Sequence, residues 1–101
     1  MYGAQIQRID KETLPEINFI YEEVLSDPAE IDRRSRKLQH AQRLGNEFKG
    51  KVSIVFMTDQ GPVEVHTTIW QVGRRHVTLK YGHHIPIGAI LSIQGVGTPN
   101  A

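Results

Sequence analysis

The sequence predicts a mainly β domain of the α+β kind: a five-stranded small barrel over residues 51–94, preceded by two short N-terminal helices within residues 13–45. Three observations carry this. Residues 51–94 are runs of β-branched and apolar residues broken at short intervals by turn residues. Two helix-start signals, at Thr13 and at Asp27, precede them. Five short strands joined by tight turns would leave exposed edges unless the sheet curled on itself.

The chain has 101 residues, which sets one domain, 1–101. Apolar residues at 39% and charged residues at 23% place it with globular proteins rather than disordered ones. There are no cysteines, which excludes disulfides, thiolate metal sites and a cysteine nucleophile. Their absence also fits a reducing compartment. No apolar run approaches the roughly 18 residues of a membrane span, and the first residues lack the basic-then-apolar pattern of a signal peptide. A cytoplasmic location without a membrane partner is expected.

Residues 1–12 carry no clear periodicity beyond Ile6 and Ile9 and read as extended or frayed. Thr13, Pro15 and Glu16 then suit a capped first turn. Leu14, Ile17, Tyr21 and Val24 follow at spacings of three and four, predicting a helix over about 14–25. Asp27 as N-cap, Pro28 at the first helical position and Glu30 in the first turn predict a second helix. It should end near Leu44, with Gly45 in the left-handed C-cap position. Its apolar stripe is narrow, comprising Ile31, Leu38, Ala41 and Leu44.

The first strand, 51–58, alternates with Val52, Ile54 and Phe56 on one face. The other face, Ser53, Val55 and Met57, is only partly polar, so both faces should be covered. Residues 59–62 form a hairpin turn around Gly61. The second strand, 63–72, is ten residues long, and a bend or bulge is expected near Thr68. A third strand spans 76–80, and a fourth spans 84–87, where Pro86 confines it to an edge or strand end. A fifth strand spans 90–93, and 95–101 is a loose tail.

This order of a helix, a long hairpin, a short third strand and a strand–single turn–strand through Ile85-Pro86-Ile87 and Ile90 resembles the Sm-like small-barrel architecture over residues 27–93. The chain also resembles a family of small bacterial proteins of about this length. The shared features are Asp27-Pro28, Arg43-Leu44-Gly45-Asn46, Lys49-Gly50-Lys51-Val52, Thr67-Thr68-Ile69-Trp70 and Ile85-Pro86-Ile87. The resemblance implies an Sm-like barrel with N-terminal helices. Sm-like proteins commonly bind RNA or other proteins, and some form rings. It carries no activity and no site residues over to this chain.

Charge is unevenly distributed. Eight of the eleven acids lie in residues 1–32, and seven of the twelve basic residues lie in 33–51. Arg33, Arg36, Lys37 and Arg43, followed by Lys49 and Lys51, suit a basic stripe able to contact phosphates, with Arg74 and Arg75 extending it from a loop. A solvated helix, or one paired with the acidic front, has the same composition. Glu64, His66 and Trp70 share strand parity and make a candidate partner patch. A lone Trp is more often a core residue, so Trp70 closing the barrel against the helix is the favoured reading.

Catalytic and metal signals are weak. The five histidines, including the adjacent His83 and His84, lack a recognised ligand spacing. No serine occupies a nucleophile elbow, no phosphate-loop pattern is present, and Gly95-Val96-Gly97 has no helix to follow it. The expectation is a non-catalytic binding module without metal or cofactor, contacting RNA or a regulatory protein. The alternative is a structural protein that forms a homo-oligomer through open barrel edges. No small-molecule substrate is indicated.

Overall fold

Asp27 starts the principal helix as its sequence requires. In the computed structural model, which describes residues 6–95, its carboxylate accepts the Ala29 N–H at 2.9 Å, and Pro28 opens helix α1 (Pro28–Phe48). The helix does not stop at Gly45. It runs to Phe48, and Lys49, at φ 55°, is the left-handed cap. Gly45 is there for a different reason. A Cβ on it would stand 2.3 Å from the Ile69 carbonyl oxygen, so it lets the helix backbone lie directly against a strand.

The architecture is α+β, with that one long helix and, among the described residues, seven strands in two sheets. β1 (Gln7–Ile9), β2 (Val52–Thr58), β3 (Gly61–Thr67) and β7 (Ile90–Gln94) form the first, in the order β1-β3-β2-β7. β4 (Ile69–Val72), β5 (His76–Leu79) and β6 (His84–Pro86) form the second, in that order. The expected 63–72 strand is thus two strands, divided at Thr68 where a bend was predicted. A bend there lets the chain pass from one sheet to the other.

The sheets do not close into a five-stranded barrel. Side chains of α1 occupy the edges where closure would occur. The Arg34 guanidinium donates to the Ile90 carbonyl at 3.0 Å and Lys37 to that of Ile93 at 3.5 Å, both on β7. Gln42 accepts the Val72 N–H on β4. Edge groups satisfied by a covering helix have no need of a further strand.

The expected helix over 14–25 is also absent. Residues Lys11–Glu16 make a 3-10 turn, and the chain then runs extended to Asp27 as a strap. Tertiary bonding outweighs the helical spacing. The strap exchanges backbone hydrogen bonds with its neighbours: Asp59 N–H to Asn18 O at 3.0 Å, and Val24 N–H to Gly88 O at 2.9 Å. Phe19 packs its ring 5.5 Å from that of Phe56, whereas Tyr21, on the expected apolar stripe, is exposed. Of residues 1–12, expected to be extended or frayed, Gln7–Ile9 are extended and form β1, which pairs parallel to β3. Residues 1–5 and the rest of the tail, 96–101, lie outside the described residues.

One hydrophobic cluster joins the layers. It takes Leu38 and Ala41 from α1, Ile54, Phe56 and Val65 from the first sheet, and Ile69, Val77, Leu79 and Ile85 from the second. On the opposite face of β2, Val55 is buried between Glu64 and Ser92 in the ladder, while Ser53 and Met57 beside it are only half-buried, so that face is covered in part. Pro86 lies on β6, which pairs only with β5 among the described residues, in keeping with its missing N–H.

Candidate nucleic-acid interface

The break at Thr68 decides where Trp70 goes. Thr67, Thr68 and Ile69 are all buried as the chain changes sheets, and Trp70 then emerges on the outside of β4. Its indole is 45% exposed, so it does not close a barrel against the helix. Tyr81, in the 3-10 turn Lys80–Gly82, is 65% exposed and lies beside it, the ring centroids 6.4 Å apart and tilted by 56°.

Cations surround the aromatic pair. The Lys11 and Lys80 ammonium groups lie 5.4 and 5.3 Å from the Tyr81 ring centroid, within cation–π range. Next to Trp70 opens a cleft of about 440 Å³ lined by Gly45, Asn46, Lys49, Thr68, Trp70 and Lys80. Both charged residues in that lining are lysines. Glu12 tempers this charge, its carboxylate 3.6 Å from the Lys11 ammonium. A backbone hydrogen bond and then the Lys11 charge hold the Glu12 carboxyl below its usual range.

Backbone conformation marks the same place. Lys49 (φ 55°) and Tyr81 (φ 71°) are the two non-glycine residues with positive φ among the described residues. Such conformations cost of order 1–3 kcal/mol and concentrate at binding sites, where the surroundings must enforce them. Here one flanks the cleft and the other forms half of the aromatic pair.

The sequence-derived candidates are scattered around this centre. Of the eight basic residues singled out, Lys49 lines the Trp70 cleft. Arg74 and Arg75 line a separate cleft of about 670 Å³ with Tyr21, His76, Pro86 and Ile87. Arg33 and Lys37 face a shallow groove beside β7. Arg36 is engaged by Asp32 one turn earlier at 2.9 Å, while Arg43 and Lys51 are exposed elsewhere. The helix therefore presents a mixed face rather than a continuous basic stripe.

Trp70 is also separated from Glu64 and His66, which stay two residues apart on one face of β3. Glu64 faces Arg8 of β1 at 3.6 Å, His66 meets the Ser53 hydroxyl at 3.0 Å across β2, and Trp70 belongs to the other sheet. Shared strand parity does not survive the break at Thr68. The Ser53–His66 pair lies on an exposed sheet face, where water competes for both groups. Among the described residues no three His, Asp or Glu side chains converge as metal ligands. His84 instead packs edge-on against His76, ring centroids 6.2 Å apart.

The acidic front contacts the basic helix at one residue that composition does not single out. Arg34 is 6% exposed and holds Glu23 of the strap in a two-bond fork of 2.7 and 2.6 Å. The Arg34 hydrogen bond, joined by the Leu25 N–H, holds the Glu23 carboxyl below its usual range against the opposing cost of burial. Its position was open to inspection: Arg34 falls three residues after Ile31 and four before Leu38, on the buried stripe itself. Lys11 and Lys80 had no comparable signal, because their meeting at Tyr81 depends on the strap and the 3-10 turn.

The fold and this site define a small α+β domain with a solvent-facing aromatic–lysine cleft. No protein-family model, curated protein or solved structure matches the chain. No helix among the described residues is long and apolar enough to cross a membrane.

Proposed function

We propose that this domain is a non-catalytic binding module that contacts single-stranded RNA at the Trp70–Tyr81 cleft. The observation that carries the reading is the half-exposed aromatic pair ringed by Lys11, Lys49 and Lys80. A base stacked on an aromatic side chain contributes about 1–3 kcal/mol, and lysines on the rim suit the phosphates that follow it. A regulatory protein is the weaker partner, because a lining whose charges are all cationic suits a polyanion. The strand order supports the finer description as an opened Sm-like small barrel. β2 and β3 make a long hairpin, β4 continues after a bend, and the single turn Ile87–Ala89 leads β7 back to β2. Sm-like proteins commonly bind RNA, in keeping with the same reading.

Trp70 is the only tryptophan in the chain and reports directly on the site. Octauridylate added at ~50 mM salt should quench its fluorescence saturably, with affinity falling as salt rises. An octathymidylate arm separates RNA from DNA through the 2′-hydroxyl. Absence of quenching and of binding at that salt overturns the proposal.

A second reading is a homo-oligomer joined through strand edges. It is favoured by β6, whose outer edge is unpaired among the described residues. Against it, the β7 carbonyls of Ile90 and Ile93 already accept from Arg34 and Lys37. A monomer by light scattering at high protein concentration removes it.

A further inference from the structure

The aromatic–lysine cleft has a counterpart around the corner of the second sheet. The larger cleft of about 670 Å³ is lined by Arg74, Arg75 and His76 from the β4–β5 turn, by Tyr21 from the strap and by Pro86 and Ile87. Arg74, Arg75 and Tyr21 are exposed, and none of the described ion pairs involves either arginine. The one carboxylate in its lining, Glu23, is committed to Arg34 by two short hydrogen bonds. This cleft therefore also presents uncompensated positive charge next to an exposed aromatic ring.

A third depression adjoins the arginine cleft through Tyr21 and the aromatic pair through Gly82, the residue after Tyr81. From Tyr81 the chain runs through Gly82 and His83 to His84, and these three residues with Pro15 and Tyr21 line this depression of about 340 Å³. Tyr21 belongs to both this depression and the arginine cleft. His84 reaches the same cleft through its contact with His76 at 6.2 Å. Aromatic and basic side chains thus alternate along one path: Trp70, Tyr81 with its lysines, His84 beside His76, Tyr21, then Arg74 and Arg75. Alternation of ring faces and cations is what an extended strand of bases and phosphates requires, and a compact anion would use only one end of it.

We infer that this path is a single binding track, occupied by one extended single strand of RNA whose backbone leaves the Trp70 cleft and reaches Arg74 and Arg75. The inference rests on the reading of the Trp70 cleft as the stacking site and adds to it a second anchor, a path and a length. The molecule measures 34 × 31 × 28 Å, so the track accommodates about four to six nucleotides, at the low end of the range for single-strand-binding domains. His76, His83 and His84 act along it as ring surfaces and hydrogen-bond donors between the two anchors.

The test is fluorescence anisotropy with end-labelled oligouridylates of three and eight nucleotides at ~50 mM salt. Three full-length proteins are compared: the natural sequence, Trp70→Ala, and the double variant Arg74→Ala/Arg75→Ala. Both arginines are exposed in a turn, and circular dichroism verifies that the double variant is folded. The natural protein should bind the octamer at least tenfold more tightly than the trimer. The double variant should lose about tenfold for the octamer and stay within twofold for the trimer, whereas Trp70→Ala should weaken both. Equal affinity for the two lengths, or an octamer unaffected by the arginine changes, overturns the track while leaving the Trp70 site standing. If Trp70→Ala binds both oligomers as well as the natural protein does, the Trp70 site and the track fall together.

Discussion

Arg34 and Glu23 face each other across the joint between helix and strap in a fork of 2.7 and 2.6 Å, and Arg34 also reaches the start of β7. The pair does three jobs at once. It ties the extended strap to α1, it satisfies the Ile90 carbonyl on an open sheet edge, and it removes one cation from the helix surface. One nitrogen, Arg34 Nε, is buried without a partner, which makes the guanidinium still more dependent on Glu23.

Removing Glu23 should therefore cost more than removing Arg34. Glu23→Gln leaves a buried guanidinium with a neutral partner, and a loss of about 2–3 kcal/mol is expected, less than for a fully buried pair because Glu23 reaches solvent. Arg34→Met fills similar volume and frees a carboxylate that water can solvate, so the loss should be about 1–2 kcal/mol. Urea midpoints of the singles and the double variant close the cycle, and additivity would show that the two residues do not cooperate.

The same pair should shape acid unfolding. The Glu23 carboxyl is held below its usual range by Arg34 in the folded state, so its contribution is fully present above the ordinary carboxylate pKa. That contribution is lost as pH falls through the lowered folded value. Stability plotted from pH 6 downward should thus decline less steeply in Glu23→Gln than in the natural protein. Parallel curves would assign the acid limb to other carboxylates.

Gly45 provides a second stability test, one in which helix propensity and packing disagree. Alanine is about 1 kcal/mol better than glycine inside a helix. Here its Cβ would fall 2.3 Å from the Ile69 carbonyl oxygen and 2.9 Å from Thr68 Cγ2. Packing should win, and Gly45→Ala should destabilise by about 1–3 kcal/mol as α1 is pushed off β4. Because Asn46 and Lys49 line the Trp70 cleft from the same helix end, weaker RNA binding should accompany the loss. An unchanged or higher melting temperature would refute the close approach.

The strap should detach when its anchor is shortened. Phe19 packs on Phe56 at 5.5 Å, and Phe19→Ala removes a half-buried ring worth about 2 kcal/mol. Limited proteolysis should then cut within residues 17–27 well before the core is digested. Cleavage no faster than in the natural protein would mean that the backbone bonds of the strap and the Arg34–Glu23 fork hold it without the Phe19 ring.

How far these features were legible follows from the range of the interactions that set them. The Asp27-Pro28 start and the bend at Thr68 could be read because a cap and an overlong strand are local facts. The helix expected over 14–25 failed because Leu14, Ile17 and Val24 fit a helical stripe equally well as anchors of an extended strap. Met57, Thr58, Asp59 and Gly88 decide between these, and they lie far along the chain. Gly45 misled for a related reason, since glycine serves both a cap and a close approach. The proposed binding face was half legible: Lys49 and Trp70 could be named, but their meeting depends on the break that also parts Trp70 from Glu64 and His66.

Composition pointed to the arginines of α1 as phosphate contacts, whereas the proposed function gives that role to the lysines around Tyr81. The two assignments give opposite results in a salt series. Lys49→Ala/Lys80→Ala removes two cations from the cleft, and the slope of log affinity against log salt for an oligouridylate should fall by about 1.4, at about 0.7 per phosphate contact. Arg33→Ala/Arg43→Ala removes two exposed helix cations and should leave both the slope and the affinity within twofold, apart from a small uniform drop from lower net charge. The lysine variant must keep its Trp70 emission unchanged in the absence of RNA, so that a slope change cannot be blamed on a displaced ring. If the arginine pair lowers the slope and the lysine pair does not, the interface belongs on the helix and the Trp70 cleft is not where RNA binds.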